Sequence, residues 1–384
     1  MGRRILLVQV SLQPPGGGNG VAAWFLQALA REHRVTVLSW RPVDVAPIDR
    51  FFGTSLLEVA FDTLGVPPPW VTMLDHLPIP ASLVRNALLM RFTRRVSSRY
   101  EVVLGVYNEA DFGRRGIQYV HYPTYLRPRP DVDMRWYHGS RRLLGGYYRL
   151  ADRIAGLSLD RVRSNLTLAN SDWTARHVER LLGVTARTVY PPVADPDPPR
   201  PWEERARRFL LVGRISPEKE IERAMRILSR VRRHAPDVEL TIVGTCDPRT
   251  RHYRRRLVGF ASSLGSWITF HENMSREALR ALMASSRYGI HGMREEHFGM
   301  APAELVRAGA LVWLGRGGGQ VEIVGGEDAL LYDTEEEAAE KIASVLSNPA
   351  EERRLREHLH ARGERFAPER FVGEVREIVA TFES

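Results

Sequence analysis

Two glutamates, Glu296 and Glu304, stand eight residues apart around the sequence HFGM. A short apolar run at 288–292 precedes them and predicts a strand, so both follow a strand's carboxyl end. Gly299 suits a tight backbone turn, and a helix beginning near Met300 would present free N–H groups to an anion. Carboxylates placed in this way can accept hydrogen bonds from sugar and ribose hydroxyls. A general acid/base pair and two solvent-facing side chains are the alternatives.

Two cations follow another predicted strand, at 209–213. Arg214 stands at its carboxyl end, and Lys219 lies about one turn later, near the start of a predicted helix at 220–233. A guanidinium fork and an ammonium point charge that converge on one loop would bind a diphosphate. Lys219 is one of only two lysines in the chain, the other being Lys341, which favours a function over a surface position.

A glycine-rich loop, QPPGGGNG at 13–20, follows the first predicted strand and precedes a predicted helix at 21–31. Gly17 and Gly18 would let backbone N–H groups approach a phosphate at the helix N-terminus. The loop has neither the GxGxxG spacing of dinucleotide-binding folds nor the GKS/T ending of a P-loop. Taken alone, it is equally consistent with a flexible turn.

Short apolar runs alternate with helical patterns through most of the chain, which favours βα units and parallel sheets. The predicted strands lie at 5–10, 34–38, 102–106, 117–120, 166–170, 209–213, 238–243, 267–270, 288–292, 311–314 and 329–332. The proline-rich segment 190–202 is typical of a linker. The predicted fold is therefore α/β, with two Rossmann-like domains, 1–190 and 191–367, facing across a cleft. Ligands of such sheets bind beyond the carboxyl ends of strands.

Length and composition fit a globular chain of two domains, with 384 residues, 43 % hydrophobic and 26 % charged. No run reaches the roughly 18 to 20 apolar residues that span a bilayer, and the first apolar run is typical of a strand. A cytoplasmic location is therefore expected. A single cysteine, Cys246, excludes an internal disulfide framework.

The net charge of +9 comes entirely from the first half of the chain. Up to residue 195, 25 Lys and Arg stand against 16 Asp and Glu, whereas the numbers are 30 and 30 afterwards. Basic clusters that could meet anionic lipid, a phosphorylated substrate or nucleic acid are Arg91, Arg94, Arg95, Arg99, Arg141 and Arg142. A solvated helix face is the alternative. Nucleic acid is disfavoured because the sequence has no zinc-finger spacing or RNA-recognition signature.

The order of these motifs resembles the family-4 retaining glycosyltransferases of the GT-B fold, over most of the chain. The matching features are GGG near the N-terminus, GRxxxxxK after the linker and E-x7-E with FG inside it. Further matches are IVG at 242–244 and GGGQVEIV at 317–324. Two segments, YVHYPT at 119–124 and EHFG at 296–299, are most similar to the dolichol-pathway α-1,2-mannosyltransferases.

The resemblance implies roles for the candidate residues of the second domain. Arg214 and Lys219 would bind the donor diphosphate, and Glu304 would bind the ribose hydroxyls. Glu296 would contact the transferred sugar. The backbone alongside it would be that of Phe298, Gly299 and Met300.

In the first domain, the resemblance implies that Gly17 and Gly18 close on the donor from the opposite side. His121 would lie near the sugar, although a histidine after a strand is more often simply hydrogen-bonded. The closing helical segment, 368–384, would return to the first domain. The DxD metal pattern at 131–133 is interpreted as part of a loop, because it lies among arginines and prolines without an adjoining glycine loop.

The activity implied is transfer of a hexose, with mannose from GDP-mannose as the preferred donor, to a hydroxyl of a lipid-linked or anionic glycan, with retention. No metal or other cofactor would be required, because Arg214, Lys219 and helix N-termini can offset the charge of the leaving diphosphate. The alternatives are a UDP-sugar donor, a GT-B sugar-nucleotide epimerase and a non-enzymatic binding protein. The chain would act in the cytoplasm or peripherally on the cytoplasmic face of an anionic membrane, and would not bind nucleic acid.

Overall fold

A computed structural model describes residues 2–66, 74, 82–123, 141–194, 197–198 and 200–383 of the chain. The chain folds into two compact units. The first unit is Met1–Pro192 together with Pro368–Ser384, and the second is Val193–Ala367. Each unit is built on a parallel sheet with helices between its strands, so the predicted α/β class with two Rossmann-like sheets is confirmed.

The described strands of the first unit are β1 (Arg4–Val8), β2 (Arg34–Ser39), β3 (Asp62–Gly65), β4 (Val102–Gly105), β5 (Ile117–Val120), β6 (Leu166–Ala169) and β7 (Ala186–Thr188). They form one sheet in the order β3-β2-β1-β4-β5-β6-β7, in which all neighbours are parallel. The two strands that the sequence did not predict, β3 and β7, are its edges. Both are short and poorly buried, so their apolar pattern is weak.

The helices described in the first unit are α1 (Gly17–Ala30), α2 (Val45–Phe52), α3 (Ser82–Val96), α4 (Arg141–Ala155), α5 (Leu159–Ser164), α6 (Asp172–Leu182) and α14 (Pro368–Thr381). Helix α6 begins at Asp172, because the Ser171 side chain accepts a hydrogen bond from the Thr174 N–H. Helix α14 packs on α1, with the rings of Phe371 and Phe25 edge-to-face at 4.9 Å.

Both faces of the first sheet are buried, as is usual for parallel sheets covered by helices. Successive side chains of a strand point to opposite faces. In β1, Ile5 and Leu7 therefore join one core cluster, and Leu6 and Val8 join the other. This explains why the strand reads as a continuous apolar run.

The strands of the second unit are β8 (Ala206–Val212), β9 (Glu239–Gly244), β10 (Ile268–Glu272), β11 (Ser286–Ile290), β12 (Leu311–Gly315) and β13 (Leu331–Tyr332). The sheet order is β10-β9-β8-β11-β12-β13, again with parallel neighbours. The predicted strand at 329–332 is too long. A 3-10 turn at Asp328–Leu330 replaces its first half, because the Glu327 side chain accepts a hydrogen bond from the Ala329 N–H.

The helices of the second unit are α7 (Ile221–Val231), α8 (Arg251–Leu264), α9 (Arg276–Ala284), α10 (Met300–Arg307), α11 (Gln320–Ile323), α12 (Glu335–Leu346) and α13 (Pro349–Gly363). An aromatic cluster of Phe209, Tyr288 and Trp313 joins β8, β11 and β12, with ring centroids 4.9 to 6.0 Å apart. None of the described helices combines the length and apolar character that crossing a membrane requires.

Candidate functional site

The strand order of the second sheet reverses at β8, which has β9 on one side and β11 on the other. Because β8 and β11 pair in parallel, their carboxyl ends lie at the same edge of the sheet. In sheets of this type, ligands bind at that reversal, beyond the carboxyl ends of the two strands. The loop after β8 carries Arg214 and Lys219, and the loop after β11 carries His291 and Glu296. Two of the predicted segments therefore lie side by side at the position where a ligand is expected.

Lys219 and Glu296 form an ion pair at this point, across 77 positions of sequence. Both side chains are largely buried, being 14 % and 18 % exposed. His291, the first residue after β11, places its Nε2 3.4 Å from the same Oε2 atom of Glu296. The Lys219 ammonium also contacts the sulfur of Met293 at 3.5 Å. One carboxylate oxygen of Glu296 is thus held by two neighbouring groups.

The environment keeps Glu296 ionised. Burial alone would raise its pKa, but the hydrogen bond from His291 and the charge of Lys219 outweigh burial and hold the pKa well below its usual range. Burial lowers the pKa of His291, so its imidazole is neutral near pH 7 and donates its Nε2–H. A catalytic acid needs a raised pKa, so this carboxylate is suited to accepting hydrogen bonds and not to giving a proton.

The sequence predicts that Arg214 and Lys219 converge to bind a diphosphate. In the structure, the Arg214 side chain does not converge with that of Lys219. Its guanidinium is paired with Glu218 at 3.2 Å and is 71 % exposed. The 3-10 turn Pro217–Lys219 points the two cations apart, because Lys219 turns inward to Glu296. Of the two predicted cations, Lys219 is therefore the one that the protein itself fixes at the switch point.

Glu304 lies in the first turns of α10 and forms an ion pair with Arg276, the first residue of α9. The two side chains are as buried as the first pair, at 16 % and 14 % exposed. The negative charge of Glu304 raises the pKa of Arg276, although burial acts against it. Helix α9 follows β10, so this pair too lies beyond the carboxyl end of a strand.

The two glutamates share one arrangement. In each, a single carboxylate oxygen is held by a cation, Oε2 in Glu296 and Oε1 in Glu304. The other oxygen accepts no hydrogen bond from any residue that the structure describes. A carboxylate that is fixed through one oxygen presents the second in a defined direction, and that oxygen can accept bonds from ligand hydroxyls.

The turn between the glutamates is formed as the sequence predicts. Gly299 has φ 107°, a left-handed conformation, and α10 begins at Met300. Met300 and Ala301 are the first two residues of this helix, and their N–H groups have no partner within the described part of the chain. Phe298 contributes only backbone here, since its side chain is buried against Phe366 with centroids 5.4 Å apart.

In the first unit, the predicted residues meet where β1 and β4 are neighbours and the strand order reverses. Helix α1 begins at Gly17, and a Cβ on Gly18 would lie 3.1 Å from Nε2 of His121. His121 follows β5, and its Nε2 lies 3.0 Å from the carbonyl oxygen of Val106. A carbonyl only accepts, so Nε2 carries the proton and Nδ1 is left as an acceptor.

Acidification is expected to destabilise the protein through His121. Burial lowers the pKa of His121 from 6.5 to about 4, against the opposing effect of the Val106 hydrogen bond. The unfolded state therefore binds more protons between these values, and stability that is present above pH 6.5 is lost as the pH falls toward 4. Between pH 6.5 and pH 4, the free energy of unfolding measured with urea should fall by up to about 3 kcal/mol more for wild type than for His121→Gln. Equal losses in both proteins would show that this histidine does not titrate as described.

Three buried side chains of the second unit belong to the site but were not singled out from the sequence. His291 had a positional signal, because it is one of the last two residues of the predicted strand at 288–292 and directly follows the observed strand β11. Arg276 and Gln320 had none, since their partners lie in other loops. The DxD segment at 131–133 lies outside the described residues. Within the described part of the chain, no group of three or more His, Cys, Asp or Glu side chains is arranged to hold a metal ion.

Comparisons with known proteins show what the chain is similar to. Residues 197–363 match the family described as glycosyl transferases group 1. The human GDP-Man:Man(3)GlcNAc(2)-PP-Dol alpha-1,2-mannosyltransferase is 28 % identical over 229 residues, covering 54 % of this chain and 46 % of the relative. The mouse protein of the same name is 28 % identical over 292 residues, covering 67 % and 59 %. The predicted resemblance to the dolichol-pathway α-1,2-mannosyltransferases is confirmed. The chain spans about half the length of the curated relatives it matches.

Solved structures show the same fold. WaaG, a glycosyltransferase involved in lipopolysaccharide biosynthesis, aligns with a TM-score of 0.67 at 15 % identity, over 97 % of this chain and 99 % of its own. Anabaena Alr3699/HepE in complex with UDP-glucose aligns with a TM-score of 0.65 at 16 % identity, over 99 % and 100 %. The predicted GT-B fold class is therefore confirmed.

Proposed function

We propose that this chain is a retaining glycosyltransferase, because residues 197–363 match the family described as glycosyl transferases group 1. Its donor would be GDP-mannose and its acceptor a hydroxyl of a lipid-linked or anionic glycan. The observation that carries the proposal is the pair of glutamates at the carboxyl edge of the second sheet, each with one oxygen held by a cation and one open. The names of the human and mouse relatives support mannose as the transferred sugar.

Roles for the second unit follow from what each group can bind. Lys219 has three N–H donors, so it can keep its bond to Glu296 and still bind diphosphate oxygens. Glu296 would bind hydroxyls of the transferred sugar through its open oxygen, and Glu304 those of the ribose. The exposed guanidinium of Arg214 would have to leave Glu218 to reach the diphosphate.

The first unit would contribute to donor binding through Gly17, Gly18 and His121. The N–H groups of the two glycines are without partners in the described part of the chain and can approach a phosphate. Neutral His121 offers Nδ1 as an acceptor to a sugar hydroxyl. Positive charge and helix N-termini would stabilise the leaving diphosphate, so the proposed reaction needs no metal. The departing phosphate would assist deprotonation of the acceptor hydroxyl on the same face.

The lowered pKa of Glu296 favours transfer over epimerisation, because an epimerase needs a residue that gives and takes a proton at the sugar ring. Product analysis distinguishes them. GDP-mannose, UDP-glucose and UDP-GlcNAc would each be incubated with and without a synthetic Man3GlcNAc2-diphosphate lipid. We expect GDP release from GDP-mannose that increases with the lipid. A new sugar nucleotide formed without the lipid would indicate an epimerase, and turnover of the UDP-sugars alone would assign a different donor.

We also propose that the first unit docks on the anionic cytoplasmic face of a membrane. Arg91 and Arg95 lie one turn apart on α3 and are exposed. Helix α3 packs against α4, which exposes Arg149, Arg153 and the apolar side chain of Leu150. An anionic surface attracts each such arginine by about 1 kcal/mol.

One arginine of the predicted cluster does not belong to this surface. Arg94 turns inward, 3.5 Å from the buried carboxylate of Asp111, and is only 21 % exposed. Desolvation lowers the pKa of Arg94, although the charge of Asp111 acts against it. The side chains of Arg141 and Arg142 lie outside the described residues.

Charge reversal at Arg91 and Arg95 is expected to abolish flotation with vesicles of phosphatidylcholine and phosphatidylserine at low salt. Wild type should float at low salt and less at moderate salt, because salt screens the attraction. The control is the same reversal at Arg251 and Arg255, an exposed pair with the same spacing on α8 of the second unit. Wild type that fails to float at either salt concentration, or equal losses in both variants, would overturn the docking surface.

A further inference from the structure

The loop that carries Glu296 is fixed to the rest of the second unit by the segment 317–320. After β11 the chain crosses toward the end of β12, and the carbonyl groups of Met293 and Arg294 point into the protein. Buried carbonyls need donors, and neither strand supplies one here. The donor for both is the side chain of Gln320.

Gln320 is fully buried and is the first residue of the short helix α11. Its Nε2 donates to the carbonyl of Met293 at 3.0 Å and to that of Gly315, the last residue of β12, at 2.9 Å. A longer contact reaches the carbonyl of Arg294 at 3.3 Å. One amide group therefore ties the loop after β11 to the end of β12.

The neighbouring glycines hold the same loop two residues further on, at Glu296. Glu296 and Gly318 form a parallel bridge, and the Gly319 N–H donates to the Glu296 carbonyl at 2.7 Å. Gly318 has φ 80°, and a Cβ there would overlap the Glu296 carbonyl oxygen. Only glycine allows this approach of two backbones. Met293, Arg294 and Glu296 are thus held by the segment 318–320.

We infer that Gln320 is a positioning residue for the proposed transfer, and the inference rests on that proposed function. Its amide holds the loop so that the Glu296 carboxylate meets Lys219 and His291, with one oxygen directed to the sugar. Gln320 touches none of the reacting atoms. It acts through Glu296, because displacement of the loop would move the carboxylate away from the sugar hydroxyls.

The test is Gln320→Leu, which keeps most of the volume and removes the donors. The expected result is a kcat reduced roughly 10- to 100-fold, as for a catalytic group displaced by about 1 Å. GDP affinity should stay near that of wild type, because Glu304 and the diphosphate donors belong to other segments. Gln320→Glu supplies a second measurement. A protonated carboxyl can still donate one hydrogen bond to the carbonyls but a carboxylate cannot, so its kcat should rise as the pH is lowered, relative to wild type.

The matched control is Gln118→Leu in the first unit. Gln118 is also fully buried, and its Nε2 donates to the Val162 carbonyl at 3.1 Å. Both leucine variants should lower thermal stability, but only Gln320→Leu should lower kcat at a temperature where all proteins are folded. Unchanged kcat in Gln320→Leu with an active wild type would overturn the inference alone. Absence of transfer by wild type would instead overturn the proposed function.

Discussion

Replacing Lys219 by methionine is expected to lower kcat/KM for GDP-mannose by roughly 100- to 1000-fold, the usual effect of removing one electrostatic stabiliser of a developing charge. Methionine keeps the length of the side chain but cannot offset the charge of the departing diphosphate. The variant also leaves the carboxylate of Glu296 with His291 as its remaining partner. Initial rates over a range of donor concentrations measure the effect, and GDP binding should weaken in parallel.

Lys341 provides a matched control for this variant. It is the other lysine of the chain, is 20 % exposed, and is paired with Asp328 at 2.9 Å and Glu337 at 2.8 Å. Lys341→Met should lower the melting temperature but leave kcat/KM close to that of wild type. Equal activity losses in the two variants, or an unaffected Lys219→Met, would contradict the role of Lys219.

Replacing Glu304 by alanine is expected to raise the Kd for GDP by roughly 10- to 100-fold, because hydrogen bonds to a charged group contribute about 1.5 to 3 kcal/mol. The factor should be the same for GDP-mannose, since Glu304 is assigned to the ribose that both ligands contain. Glu296→Ala should behave differently and weaken only the ligand that carries the sugar. Isothermal titration with both nucleotides separates the two roles.

Two arginines of α9 provide the controls for Glu304. Arg276 is paired with Glu304, whereas Arg280 lies one turn later and is paired with Asp197 at 2.9 Å. Arg276→Ala should weaken GDP binding by releasing the Glu304 carboxylate from its fixed position, and Arg280→Ala should leave binding unchanged. A Glu304→Ala protein that binds GDP as wild type does would remove this residue from the donor site.

The sequence predicted the positions of the candidate residues along the fold better than it predicted their contacts. Lys219, Glu296 and Glu304 were recognisable because each stands just beyond an apolar run that forms a parallel strand. The pairing of Lys219 with Glu296 was not predictable, since it depends on β8 and β11 becoming neighbours in the sheet. That order is decided by long-range packing of strands that have similar local patterns.

Prediction from the local sequence failed most clearly where a side chain donates hydrogen bonds to the backbone of a distant segment. Gln320 lies in a glycine-rich run, and nothing in its neighbours indicates the three carbonyls that it meets. The contacts of Arg214 also differ from the prediction. Its position after a strand suggested convergence with Lys219, but the turn at Pro217 directs its guanidinium toward Glu218.

We propose that this chain breaks the sugar–phosphate bond of GDP-mannose with retention. Proton NMR of GDP-mannose during slow hydrolysis by the protein tests it most directly, because the anomer released first reports the stereochemistry before mutarotation. The expected result is GDP together with α-mannose as the first product, and no signal from Lys219→Met on the same time scale. β-Mannose as the first product, or an epimerised sugar nucleotide without release of GDP, would contradict the account.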